Sequence, residues 1–480
     1  MRVAVLLLPA LLVSMDLSIL FVAAPAISAA LTPTGTEWLW MMDVYGFVMA
    51  GLLITMGSLG DRIGRRRLLL AGSALFGAAS ALLALATEPW TFVLARALLG
   101  IGGATLAPST LSLLRALYPD ERRRRAAVGA WTVAFTGGSV AGPIVGGLLL
   151  EHFWWGSIFL VNVPVMLLLL AAAPLLLEES RDPDGAGFDL PGAVLALTAV
   201  LGLVVALKRA TGHGPDAAAG AAALAGLALG AAFVLRQRRA AHPLLDLGLF
   251  RAPAFGAAVT ANTAVSWAAA GMGALAFTFM QTVHGLTALE AALHALPTLA
   301  GTAAGAALAS TIADRARPAP LVTAGMLLAA LGFGSIALLD PGTPVWAFVG
   351  GYTVLAFGVG VCGTIANTLI LSTAPPERAG AAAGVSETGT ELGAALGIAV
   401  LGAATATVYT ARMEEHAPPG TPGAATETIA GAFAVLDDAA LLDTAAAAYT
   451  DGVTAAAAVS AAALLLTAAL AARALRHEPR

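Results

Sequence analysis

Residues 57–67 read Gly57-Ser-Leu-Gly-Asp61-Arg62-Ile-Gly64-Arg65-Arg66-Arg67 and sit between two apolar runs, near 39–60 and 68–87. Each run is long enough to cross a hydrocarbon core of about 30 Å, which takes roughly 20 apolar residues as helix. Glycine permits a tight turn between two helices, the acid falls at a helix end, and the clustered arginines suit anionic headgroups. A plain juxtamembrane loop would need only the arginines. A degenerate copy, Ser-Thr-Ile-Ala-Asp-Arg-Ala-Arg-Pro at 310–318, recurs much later in the chain.

Working outward, apolar stretches of spanning length fall near 4–30, 39–60, 68–87, 90–114, 126–150, 156–177, 189–207, 217–235, 255–281, 291–312, 319–339, 344–371, 379–407 and 452–473, fourteen in all. The first has no small-residue cleavage site behind it and reads as a span rather than a signal peptide. Composition agrees: 59% of the 480 residues are hydrophobic and 11% charged, against about 25% charged in soluble domains. The prediction is an all-α polytopic membrane protein. The single Cys362 excludes an internal disulfide framework and reads as a buried small residue.

Alternating the loops between two sides gathers every basic residue on one side except Lys208, Arg209, Arg412 and the intrahelical Arg96. By the positive-inside rule the basic loops and both termini are cytoplasmic. Pro119–Arg122 (PDER) opens the fifth span and Pro375–Arg378 (PPER) the thirteenth, each leading into glycine-spaced sequence. The chain therefore divides into a six-helix half at 1–180, two inserted helices at 181–240, and a second six-helix half at 241–480 with a long outer loop at 408–451. Parallel halves of this kind place a substrate near the midplane between them.

Charge inside the spans marks the candidate site. Glu387 and Glu391 are the only charges between Arg378 and Arg412. Spaced i, i+4, they share one helix face, while Gly389, Gly393 and Gly397 form a stripe on roughly the opposite one. An ionised carboxylate there costs at least a few kcal/mol, so a functional role is the default reading. Asp16 lies mid-span. Asp43 lies towards the outer end of the second span, where a solvated role competes. Arg96 is a cation inside the fourth span. His294, the histidine well inside a predicted span, is more simply a satisfied structural residue.

The residue 57–67 spacing resembles the signature loop of the major facilitator superfamily, in which Asp61 and Arg62, with Gly57, Gly64, Arg65 and Arg66 around them, would act as a conformational latch between the halves. Gly138-Ser-Val-Ala-Gly142-Pro143-Ile-Val-Gly146-Gly147 in the fifth span is a packing ladder of small residues that resembles the antiporter motif of exporters in that superfamily. Fourteen spans, Met15–Ser28 (MDLSILFVAAPAIS), Trp38–Gly51 (WLWMMDVYGFVMAG) and Phe153–Pro164 (FWWGSIFLVNVP) resemble the drug:proton antiporter branch, especially exporters of quaternary ammonium compounds. The resemblance implies a major-facilitator-type fold and carries over Asp16, Asp43, Glu387 and Glu391 as the membrane acids. Where some relatives place an acid, Leu296-Pro297-Thr298-Leu-Ala-Gly-Thr302 offers only hydroxyls, a departure that bears on dications above all.

Other function classes lack their parts. Lys208, the sole lysine, belongs to no Walker A motif, and neither H-E-x-x-H nor G-x-S-x-G occurs. Gly358–Gly363 formally matches G-x-G-x-x-G but lies within an apolar span with no strand before it. The expected function is alternating-access exchange of external protons for amphipathic, cationic compounds across a bacterial cytoplasmic membrane, without a cofactor or nucleic acid, by a monomer among membrane lipids. Phe47, Trp131, Phe135, Trp267 and Met280 could supply cation-π and soft apolar contacts to such compounds, with lipid contact as the competing reading. Export of an endogenous antibiotic, lipid or siderophore, and a non-transporting membrane sensor, are the alternatives.

Overall fold

The computed structural model describes residues 2–118, 120–180, 189–214, 216–240, 243–313, 316–375 and 379–475. Its helices in chain order are α1 (Arg2–Leu31), α2 (Gly35–Ile63), α3 (Arg65–Ala84), α4 (Pro89–Leu117), α5 (Glu121–His152), α6 (Ser157–Leu160), α7 (Asn162–Leu176), α8 (Leu190–His213), α9 (Ala217–Arg239), α10 (Pro253–Thr282), α11 (Ala288–His294), α12 (Leu296–Ile312), α13 (Pro318–Ile336), α14 (Val345–Thr373), α15 (Ala379–His416), α16 (Gly423–Glu427), α17 (Ile429–Val435) and α18 (Ala439–Ala474). Thirteen helical segments among the described residues are long and apolar enough to cross a membrane, with α6–α7 and α11–α12 each counting as one. The fourteenth long helix is α2, 29 residues carrying Glu37, Asp43, Asp61 and Arg62.

Local chemistry sets the helix ends. Thr34 and Glu37 form a capping box that starts α2, and Thr287 with Glu290 does the same for α11, each satisfying two orphan N–H groups. Gly64 separates α2 from α3 at φ +112°, a conformation that excludes an ordinary side chain at low cost. Prolines open α4, α10, α12 and α13, where the missing N–H has no intrahelical partner to lose.

Two of the tightly packed helix pairs, α1–α5 and α10–α15, carry candidate site residues. A Cβ added to Gly138 would meet the Leu11 carbonyl, one on Gly142 would meet Ser18 and the Met15 carbonyl, and one on Gly146 would reach Ile19 and Val22, so α5 lies backbone to backbone on α1. Ser14 Oγ and Ser139 Oγ are 2.5 Å apart in the same seam. In the second half Gly389 and Gly393 face Thr263 while Gly397 faces the Trp267 carbonyl, which brings α15 equally close to α10. Close approach through small residues is how helices associate where lipid is as apolar as the side chains. Around these seams α3 and α2 pack on α4, and α13 packs on α14 and α18.

The inserted α8 and α9 pair with each other, and α8 also touches both α2 and α15. Asp189, the N-cap of α8, takes Arg236 at 2.6 Å and Gln237 at 3.2 Å from α9. Burial works to raise its pKa, but hydrogen bonds from Arg236, Gly192 and Gln237 together with the Arg236 charge outweigh it and hold the carboxyl below its usual range.

Contacts between the halves gather towards the end that carries the 408–451 loop. Gln281 Nε2 donates to the Val22 carbonyl (2.9 Å), Gly147 abuts Leu289, and the Gly35 N–H donates to Glu427 Oε2 (2.7 Å). The loop itself forms α16 and α17, with Ile429 to Ala432 buried and Tyr409 donating to the Ala425 carbonyl (2.7 Å). The last long helix begins at Ala439 rather than near 452. Asp438 caps it by accepting from the Ala440 N–H, and Asp451, whose charge interrupts the apolar run, pairs with Arg412 of α15 at 2.9 Å. Pro119, residues 181–188, Asp314–Arg315 and Pro376–Arg378, which hold parts of the repeated entry sequences and loops, lie outside the described residues.

If the α1–α5 seam depends on backbone approach, Gly142→Leu should cost about 1–3 kcal/mol through overpacking. Gly137→Leu, at a position with nothing within 4 Å, should cost little. The buried Cys362 thiol gives the measurement: the temperature at which a thiol-reactive dye labels the purified protein should fall for the first variant and hold for the second.

Candidate functional site

Asp16, on α1, is matched at the centre of the first half. Arg96 of α4 donates through Nη1 to Asp16 Oδ2 (2.7 Å), and both side chains are wholly buried. Asn162 of α7 donates through Nδ2 to Asp16 Oδ1 and to Ser80 Oγ of α3, each at 3.2 Å. The Arg96 guanidinium lies over the ring of Tyr45 from α2, 4.5 Å from its centroid, a cation-π contact that partly replaces lost hydration. Five helices thus converge on one carboxylate. Among the described residues Arg96 Nε and Nη2, Asn162 Oδ1 and the Tyr45 hydroxyl have no hydrogen-bond partner, so the network has polar capacity left over.

Asp43 is not exposed to bulk solvent. It is fully buried, and its Oδ1 accepts from Lys208 Nζ of α8 at 2.7 Å. The sequence placed Lys208 in an outer loop, but α8 runs on to His213 and carries the ammonium inward with 2% exposure. Lys208 Nζ also stands 3.9 Å above the centre of the Trp40 ring. A cavity of about 70 Å³ adjoins Asp43, lined also by Trp38, Met42, Thr278, Tyr409 and Glu427.

Glu387 and Glu391, on α15, are different. Both are half-buried, and neither carboxylate has an ion-pair or hydrogen-bond partner among the described residues. Glu391 lies within electrostatic reach of Glu387 one turn away and of Tyr45 across the seam between halves. The α2–α15 approach that allows this runs through Gly46, whose added Cβ would stand 3.1 Å from Ala395 Cβ. Asn262 and Ser266 of α10 bind the Thr390 hydroxyl and carbonyl at 2.8 and 2.6 Å, pinning the helix between the two glutamates.

The remaining sequence candidates are placed as follows. Of the antiporter-motif glycines, Gly138, Gly142 and Gly146 line the α1–α5 seam, Gly147 meets α11 of the other half, and Pro143 lies inside α5. In the latch loop, Gly57 sits near Pro108 of α4 and Arg62 is exposed in the last turn of α2. Asp61 is in the same turn, and its side chain lies outside the described residues. The Arg66 backbone N–H donates to Glu179 Oε1 (3.0 Å) and its guanidinium to the Leu177 carbonyl (2.9 Å), while the Arg65 N–H donates to the Ser180 carbonyl (2.9 Å). These partners belong to the same half. His294 ends α11, within the α11–α12 span, beside Trp346, with ring centroids 4.7 Å apart. Trp131 and Phe135 stack on α5 at 5.2 Å, Trp267 is partly buried, and Phe47 and Met280 are packed in the core.

Sequence reading passed over Tyr45, Asn162, Ser80, Trp40 and Lys208. Tyr45, Asn162 and Trp40 stand inside stretches already singled out, but neutral side chains in an apolar helix give no facing signal.

Long apolar helices in two packed groups, with matched and unmatched charge at their seam, define a polytopic membrane transporter. A model of the Major Facilitator Superfamily matches residues 6–398, and the chain belongs to that superfamily. It is 45% identical over 447 residues to the multidrug efflux pump LfrA of Mycolicibacterium smegmatis, covering 91% of this chain and 87% of that protein. It is 35% identical to the methyl viologen resistance protein SmvA of Salmonella typhimurium (81% and 79% covered). It is 33% identical to the tetracenomycin C resistance and export protein of Streptomyces glaucescens (82% and 73%). Among solved structures, a bacterial homologue of the human lysosomal transporter Spinster, inward-facing and unoccupied, superposes with a TM-score of 0.71 at 18% identity over 99% of this chain and 96% of that one, a likeness of fold.

Removing Arg96 alone leaves Asp16 as an unmatched buried charge. Arg96→Met should therefore destabilise by about 3–5 kcal/mol, and Arg96→Met with Asp16→Asn should recover much of that loss. The same Cys362 labelling temperature measures both.

Proposed function

We propose that this chain exchanges external protons for amphipathic cations, exporting the cation across a bacterial cytoplasmic membrane with both termini on the cytoplasmic side. The observation that carries this reading is the contrast among the acids. Asp16 and Asp43 hold internal cations, whereas Glu387 and Glu391 face the seam with none among the described residues. A carboxylate partly removed from water gains from a proton or from a cationic ligand, and it can take only one at a time. Proton and cation then compete for the same oxygens, and alternating access turns competition into exchange.

Access from one side lets a proton neutralise a helix-15 glutamate and release the cation. Access from the other lets the proton leave and a new cation enter. Glycine packing along α1–α5 and α10–α15 lets each half move as a unit, and the residue 57–67 loop would latch one state.

An apolar pocket of about 780 Å³ between α2, α8, α9 and α15 includes Thr388 and Leu392, the neighbours of Glu387 and Glu391, in its wall. That volume falls within the ~300–1,000 Å³ of small-molecule sites and suits the apolar body of an amphipath. The names of the mycobacterial and Salmonella relatives point to toxic small organic compounds. A second reading, export of an antibiotic made by the same cell, draws on the tetracenomycin C relative and on a puromycin resistance protein of Streptomyces alboniger at 30% identity.

Purified protein in proteoliposomes distinguishes these. Efflux of a quaternary ammonium dye driven by a pH gradient should fall to background in Glu387→Gln with Glu391→Gln and in Asp16→Asn, with insertion unchanged. Undiminished gradient-driven transport in both variants would end the proton-coupling reading. Equal loss for neutral substrates would argue that the glutamates carry protons alone, and would favour the antibiotic reading.

A further inference from the structure

The ion pair between the inserted helix and the first half is built as a ligand site. Trp40 offers the face of its indole and Asp43 a carboxylate oxygen, and the Lys208 ammonium sits against both, 3.9 Å from the ring centre and 2.7 Å from Oδ1. A face of tryptophan with an adjacent carboxylate is the chemistry that recognises alkylammonium ions. Here the ammonium comes from the protein itself.

Two further observations separate this arrangement from a static brace. Among the described residues Asp43 Oδ2 is buried without a hydrogen-bond partner, and Asp43 lines the cavity of about 70 Å³ beneath Glu427 and Thr428 of the 408–451 loop. A water-sized space takes roughly 10–15 Å³, so with Lys208 in place that cavity gives Asp43 room for water and a proton. Moreover, α8 packs on α2 and on α15, and Phe47, Val204, Ala395 and Ala399 form one small apolar cluster where the three meet. Whatever holds Lys208 on Asp43 therefore holds α8 on the seam between the halves.

We propose that Lys208 is a tethered cation that occupies an ammonium site made by Trp40 and Asp43, and that neutralisation of Asp43 by a proton, or displacement by a substrate's ammonium group, releases it and loosens α8 from the seam. The proposal rests on the proton-for-cation reading above and adds to it a site separate from Glu387 and Glu391. The charged and titratable groups facing Asp43 are Lys208 from α8 and, within electrostatic reach, Arg96 from α4. Tyr409 of α15, Tyr449 of α18 and Glu427 of α16 surround the shared cavity, and Glu391 of α15 stands near Tyr45, two residues along α2. Arg96 is held by Asp16, so Lys208 is the cation that can leave.

Lys208 is the only lysine in the chain, which makes the test direct. Purified full-length protein is treated with an amine-acylating ester at fixed pH, and acylation of the Lys208 peptide is read by mass spectrometry against the α-amino terminus as internal standard. Lys208 should be protected in the unliganded protein. Protection should fall by about tenfold or more in Asp43→Asn, because the pair that holds the ammonium is gone. In the unmodified sequence, benzyltrimethylammonium should raise acylation in proportion to its occupancy, a response that a purely structural brace would not give and that needs no variant to fold. Acylation unchanged by the probe overturns the tether, as does equal protection in Asp43→Asn and the unmodified protein. A responsive Lys208 in a protein without gradient-driven flux would leave the tether standing and remove the exchange reading instead.

Discussion

The cost of carrying charge inside a bundle of membrane helices governs this molecule. An ion taken out of water must be matched nearby, and breaking a buried match is far more expensive than never having made one. Asp16 meets that demand with Arg96 and Asn162, brought by α4 and α7. Asp43 meets it with Lys208 from α8. Each match therefore does two things: it neutralises a carboxylate and fastens together helices that the chain alone would leave free to slide. Glu387 and Glu391 break the pattern, because α15 brings two acids to the seam and, among the described residues, no neighbouring helix brings a cation.

Packing makes that exception tolerable. Among lipid tails there is little hydrophobic gain in bringing helices together, so contact area and backbone proximity carry the association. Both halves solve this in the same way, with glycines of α5 against α1 and of α15 against α10. The second half places its acids on the helix that also carries its glycine stripe. With its back locked on Thr263 and Trp267, α15 holds Glu387 and Glu391 towards the seam without needing an ion pair to orient them. In the first half the corresponding helix is a seam alone, and the acids sit on α1 and α2.

Periodicity and spacing made this much legible before any coordinates. The glycine stripe of α15, the ladder of α5 and the turn at Gly64 are backbone demands, and a backbone demand leaves a residue-type signature. Partner choice was less legible. Asp43 read as near-solvent because it stands close to the end of its apolar run, while its partner lies 165 residues away in the inserted helix. Nothing local in LVVALKRATGH distinguishes a lysine that snorkels outward from one that turns in, since both place the stem along apolar surface. The start of the last helix, expected near 452, was placed too late for a related reason. Asp437, Asp438, Asp443 and Asp451 interrupt the apolar pattern, yet one caps α18 and another pairs with Arg412, so charge there starts and ties a helix instead of ending one.

Tyr45 shows how the two kinds of acid are joined. Its ring lies under Arg96, which holds Asp16, and Glu391 of the other half lies within electrostatic reach. Among the described residues the Tyr45 hydroxyl has no hydrogen-bond partner, so what reaches it across the seam from Glu391 is the field alone. That field depends on what fills the space. Two unit charges a few ångströms apart interact by about 4 kcal/mol at an effective dielectric constant of 20 and about 1 kcal/mol in bulk water. Any charge on Glu391 acts on Tyr45 most strongly while α2 and α15 are closed together, and its reach fades as water enters between them. The seam at Gly46 and Ala395 that lets the helices touch is thus also what brings Glu391 of one half within electrostatic reach of Tyr45 of the other.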